Sequence, residues 1–128
     1  LNKITGFRQI GSGQRPALDV DSAIQALGGS EEAFKEVARV FLQYMRESLD
    51  TLPRVANSPA QAQALVHELG SALGAVGALA ACSRAREVER RLREGDPAVA
   101  APLIELETYV QETVRLLECW LETPPKAA

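Results

Sequence analysis

Between Ser30 and Trp120 apolar residues return at intervals of three and four, and mainly glycine and proline interrupt the rhythm. That spacing lays one apolar stripe along each of several helices, whereas a strand needs strict alternation, which no stretch sustains. The sequence therefore predicts an all-α domain. Ala, Leu, Glu, Arg and Gln dominate and only 5% of residues are aromatic, in keeping with it.

Five helices can be drawn. Asp19 caps a short first helix over Val20 to Leu27, which Gly28 and Gly29 end by taking the left-handed conformation. Ser30 caps a long second helix whose first turn is acidic and whose stripe runs Phe34, Ala38, Phe41, Met45, Leu49 and Leu52; Pro53 ends or kinks it. Ser58 and Pro59 open a third, with Val66, Leu69, Leu73 and Val76 inward and Gly77 at its end. The fourth carries Ala81, Ala85, Val88 and Leu92 and stops at Gly95. The fifth opens at Asp96 and Pro97, with Val99, Leu103, Leu106, Val110, Thr113, Leu117 and Trp120 inward, and it begins or bends at Pro102. Four long helices with short connections give an antiparallel four-helix bundle of up-down-up-down topology, capped by the short N-terminal helix.

A chain of 128 residues suits one domain. Residues 1–17 read as a linker or a cloning remnant, 18–122 as the bundle and 123–128 as a disordered tail; the chain reads as a piece of a longer protein. Its 14 basic and 17 acidic residues are mixed, so there is no clustered basic surface for nucleic acid. Cys82 and Cys119 form no metal-binding spacing and no disulfide framework. No apolar run reaches the ~18 residues of a membrane span, and no signal peptide opens the chain, so membrane contact is not expected. With no exposed apolar stripe in view, the isolated domain is expected to be a monomer.

The segment VHELGSALGAVGA, residues 66–78, holds the only histidine. His67 has Gly70, Ser71 and Gly74 as its neighbours at i+3, i+4 and i+7, a strip almost without side chains. Each glycine inside a helix costs about 1 kcal/mol relative to alanine, so something should offset Gly70 and Gly74. Either they let a neighbouring helix come close, or they keep the imidazole open to a partner. Group transfer between proteins needs the second, because donor and ring nitrogen must approach to roughly 3–3.5 Å in line.

The same segment resembles the signature of histidine phosphotransfer (HPt) domains, H-x-L-K-G-S-x-x-x-h-G-A with h apolar, through His67, Leu69, Val76, Gly77 and Ala78. The resemblance extends to Leu18-Asp19, Gly28-Gly29, Val88-Glu89 and the turn Arg93-Glu94-Gly95-Asp96, covering about Leu18 to Leu121. It implies a phosphocarrier rather than an enzyme. His67 would accept a phosphoryl group on Nε2 from a receiver-domain aspartate and pass it to another receiver. Gln63, Ala64, Gly70, Ser71 and Gly74 would be docking residues, and the partner would carry the magnesium, with no cofactor or metal held by this chain. The implied setting is the cytoplasm, as the C-terminal module of a hybrid sensor kinase.

The pattern is broken where the family's lysine becomes Gly70, its glycine Ser71 and its serine Ala72. A phosphoryl group on His67 then has no cation in the next helical turn. Arg84 or Arg91 on the following helix could reach around, and Ser71 could donate one hydrogen bond. The missing lysine motivates an alternative reading, a module that docks a receiver or an effector without efficient transfer.

Overall fold

A computed structural model describes residues 16–123, and those residues contain five α-helices and no strand. They are α1 (Val20–Ala26), α2 (Glu31–Val55), α3 (Pro59–Ala75), α4 (Leu79–Arg93) and α5 (Ala100–Glu122). α3 and α4 pack against each other most extensively; α4 also packs on α5, and α2 packs on both α3 and α5, with α1 laid on α2. Among the described residues no helix is long and apolar enough to cross a membrane.

The caps explain where the first two helices start. Asp19 Oδ1 accepts the Ser22 amide at 3.1 Å, and Ser30 Oγ accepts the Ala33 amide at 3.0 Å, each satisfying a donor that the helix itself leaves free. α1 ends one residue earlier than expected, at Ala26, and Gly28 and Gly29 follow with φ of +75° and +85°. Pro53 does not end α2, which continues to Val55. Pro102 does not sit in mid-helix: α5 opens at Ala100, not at Asp96, so the proline occupies the first turn, where no amide donor is needed. Asp96 instead accepts the Ala98 amide at 2.8 Å and shapes the turn before the helix.

The buried faces follow the expected stripes with additions, Leu42 on α2, Ala62 and Gly70 on α3 and Ala80 on α4, while Val99 and Trp120 are only half-buried. α2 buries Ser48 where Leu49 was expected, so its inner face steps by four and three without a slip through Phe34, Ala38, Phe41, Met45, Ser48 and Leu52. α5 adds Leu116, and its buried Thr113 gives its hydroxyl to the Tyr109 carbonyl at 2.9 Å, which makes the polar side chain admissible there. Phe34 and Trp120 close the α2–α5 contact edge to face, with ring centroids 5.2 Å apart.

The boundaries of the fold lie slightly outside those read from the sequence. Ala17 is buried and the Pro16 carbonyl accepts the Ala80 amide at 2.9 Å, so these two residues belong to the domain and not to a linker. At the other end the Thr123 hydroxyl donates to the Cys119 carbonyl at 2.9 Å and finishes α5. The linker and tail expectations for residues 1–15 and 124–128 lie outside the described residues.

The segment before α1 is seated on the turn between α3 and α4. Asp19 donates its amide to the Gly77 carbonyl at 2.7 Å, and Gly77 has φ +83°. A Cβ on Gly77 would stand 2.2 Å from the Asp19 carbonyl oxygen, an approach that only a bare backbone permits. Gly77→Ala is therefore expected to cost at least about 2 kcal/mol in urea unfolding followed by helical signal. Gly74 has no such neighbour: a Cβ there meets only Cys82 Sγ at 3.5 Å. Gly74→Ala should raise stability in the same assay by about 0.5–1 kcal/mol.

Candidate functional site

α3 and α4 run in opposite directions, and the contacts between them set a register. Gly74 faces Cys82, Gly70 faces Arg86, and His67 faces Glu89. The helices come close because the seam is built from small groups: a Cβ on Gly70 would be 3.4 Å from the Ala85 Cβ. Cys82 adds a thiol hydrogen bond to the Gly70 carbonyl, 3.3 Å between Sγ and O.

His67 stands at the edge of this seam with its side chain 59% exposed. Its Nδ1 lies 2.8 Å from Glu89 Oε2, whereas Glu89 itself is only 14% exposed. An ionised carboxylate can only accept, so Nδ1 is the donor in this contact, and in the neutral tautomer that matches it the lone pair is on Nε2. A mostly buried carboxylate thus holds the exposed ring by Nδ1, with Nε2 on its outer side.

Glu89 is shared. Arg86 Nη1 approaches its Oε1 at 3.8 Å, and Arg93 Nη1 approaches its Oε2 at 3.8 Å. The Arg86 guanidinium lies over Gly70: its Nη1 is 3.1 Å from where a Cβ would be. Gly70 is consequently buried, and the bare strip is not open along its whole length as expected. Ser71, Gly74 and Ala64 are exposed and Gln63 is half-buried, so the surface around the ring includes them, with Arg86 covering the place between. Ser71 Oγ is directed back to the His67 carbonyl at 3.4 Å.

The two arginines expected to reach the histidine are engaged elsewhere. Arg84 pairs with Glu105 of α5 at 3.4 Å and lies over the Tyr109 ring. Arg91 contacts Glu87 at 3.1 Å and Asp96 at 3.4 Å. Hydrogen bonds from Arg90 and then Arg91 hold the Glu87 carboxyl below its ordinary range, a mark of that separate network. The apolar stripe of α4 has two polar flanks; Arg84 and Arg91 lie on the one away from α3. Arg86 and Glu89 were missed as site residues for this reason, since the stripe does not say which flank meets α3. The signal that finds them is the antiparallel register that brings Glu89 level with His67.

A second tie fixes the next residue of α3. Tyr44 of α2 donates its hydroxyl to Glu68 at 2.9 Å. Burial pushes the Tyr44 phenol up, and the bond to Glu68 pushes it the same way. A shallow groove beside the ring is lined by Ala60, Gln63, Ala64, His67, Glu68 and Glu89. Among the described residues no group of three or more His, Cys, Asp or Glu is placed to hold a metal ion.

Neither the comparison with curated proteins nor the comparison with solved structures gives a match. Residues 32–118 match the family described as Hpt domain, a span that runs from the first turn of α2 almost to the end of α5 and includes His67, Arg86 and Glu89. Modules of this family are phosphocarriers that interact with receiver domains in two-component phosphorelays, and this chain belongs to the Hpt domain family.

Proposed function

We propose that His67 is the phosphoacceptor of a relay between two receiver domains, with the helices arranged as an up-down-up-down bundle and the module working in the cytoplasm as part of a hybrid sensor kinase. The observation that carries this reading is the 2.8 Å contact of Nδ1 with Glu89 beneath an exposed ring. It leaves Nε2 with a lone pair and no proton to lose.

In the transfer, Nε2 attacks the phosphorus of an aspartyl phosphate in line. The N–P bond forms as the P–O bond to the aspartate breaks, and that carboxylate leaves with the electron pair. The ring gains positive character, which the adjacent Glu89 carboxylate stabilises. The reverse sequence delivers the group to the next receiver. The receiver brings its own magnesium and most of the charge neutralisation, so the domain's share is positioning.

The docking surface of this proposal surrounds the ring: Gln63 and Ala64 before it, Ser71 and Gly74 after it, and Gly70 through the guanidinium above it. Val40, one turn before Tyr44 on α2 and 71% exposed, extends it with an apolar contact. Gly70 in the lysine position supports a second reading, a module that docks a receiver without passing phosphate.

Two measurements test the proposal. Incubation with a radiolabelled phospho-receiver should give acid-labile, alkali-stable label on the domain, absent from His67→Gln, whose melting temperature stays near that of the parent. Binding of a receiver without label would instead establish the docking module. In nitrogen NMR of the ring, neutral His67 should carry its proton on Nδ1, and Glu89→Ala should abolish that preference; a parent ring protonated on Nε2 removes the proposed role of Glu89.

A further inference from the structure

Resting on the phosphoacceptor reading, we propose that Arg86 is the cation that faces the phosphoryl group on His67, supplied by α4 across the gap that Gly70 leaves on α3. Three observations converge on it. Its Nη1 lies over Gly70, 3.1 Å from the place of a Cβ. Gly70 is the i+3 neighbour of His67, and side chains at that spacing start about 5–6 Å apart on one helix face. Finally, Glu89 touches both partners, Nδ1 of His67 at 2.8 Å and Nη1 of Arg86 at 3.8 Å, so one carboxylate sets ring and guanidinium relative to each other.

The chemistry gives this placement its purpose. As the N–P bond forms and the donor's P–O bond breaks, three oxygens remain on phosphorus and carry the charge. A guanidinium beside them donates N–H bonds to those oxygens, keeps its own proton and offsets the charge. At 3.8 Å its contact with Glu89 is too long for a strong hydrogen bond, so the head is positioned by that carboxylate without being consumed by it.

Arg93 serves as the comparison within the same site. It also stands 3.8 Å from Glu89, but the register of the two helices sets it level with Gln63, about a turn before His67. On the Gly70 side the guanidinium of Arg86 lies against α3 where a side chain is missing. The glycine is therefore a seat: an alanine there would press on Nη1 and shift the head from its place.

The test uses phosphoramidate as a small donor, whose P–N bond breaks with release of ammonia, in parallel with a phospho-receiver. Label on His67 at equilibrium with the receiver and the half-life of the phosphorylated domain are read for each variant. Arg86→Met should lower the equilibrium share on His67 about tenfold, the loss of one charge-assisted hydrogen bond, with the melting temperature unchanged. Arg86→Lys should keep most of the share, Arg93→Met should cost clearly less than Arg86→Met, and Gly70→Lys combined with Arg86→Ala should restore transfer by returning the charge to α3. The Arg86 side-chain NMR signals should move when His67 is phosphorylated. An unchanged share in Arg86→Met, an equal loss in Arg93→Met, or Arg86 signals that do not respond overturns this assignment alone. Absence of label on parent His67 from both donors overturns it together with the relay.

Discussion

The narrow seam between α3 and α4 is the constraint on which the site depends. Helices normally stand 8–10 Å apart, and the nearer they come, the shorter the side chains that can bridge them. Gly70 facing Ala85 and Gly74 facing Cys82 keep the backbones close enough for Glu89 to reach His67 with a 2.8 Å contact while staying mostly buried. A bulkier seam would separate the carboxylate from the ring, and the ring would lose both its orientation and its assigned tautomer. Packing and chemistry therefore depend on the same small residues, and the choice first posed between close helix packing and an open strip is too simple. Both glycines line the seam, Gly70 buried within it and Gly74 exposed at its surface.

The other fixed point is the turn at Gly77. It receives the chain before α1 through the Asp19 amide and sends α4 off through the Ala78 amide, which bonds back to the Leu73 carbonyl at 2.9 Å. One residue with positive φ thus ends α3, starts the return and anchors a segment nearly 60 positions away in sequence. The close Asp19 carbonyl means the position has no slack, unlike Gly28, Gly29 and Gly95, where a Cβ would meet open space and only the backbone conformation argues for glycine.

Most of the helical layout was legible from the chain because periodicity and caps act locally. Val66, Leu69, Leu73 and Val76 are all buried as read, and so are Ala81, Ala85, Val88 and Leu92. The misreadings have physical causes. A stripe drawn through apolar residues takes in Leu49, whereas the strict four-three step selects Ser48. Asp96 and Pro97 look like a helix start, yet the aspartate caps a turn and α5 waits for Ala100. His67 could be singled out because it is unique and sits beside glycines, but its partners could not. Glu89 and Arg86 enter the site only through the lateral order of helices around the bundle, which no stripe encodes.

Glu89 holding an arginine on each side also bears on the electrostatics of the proposed relay. Two guanidiniums stand against Glu89 and a second carboxylate, Glu68, lines the same groove, so the charges around the ring balance on a chain whose formal net charge is -3. On the proposed relay, a phosphoryl group on His67 would bring about -1.5 to -2 charges and turn the local field negative. A loaded domain would then repel an anionic, phosphate-bearing face more strongly than an empty one. Encounter rates would then differ between the two states before any backbone moves, and the difference would fade as added salt shortens the reach of the field.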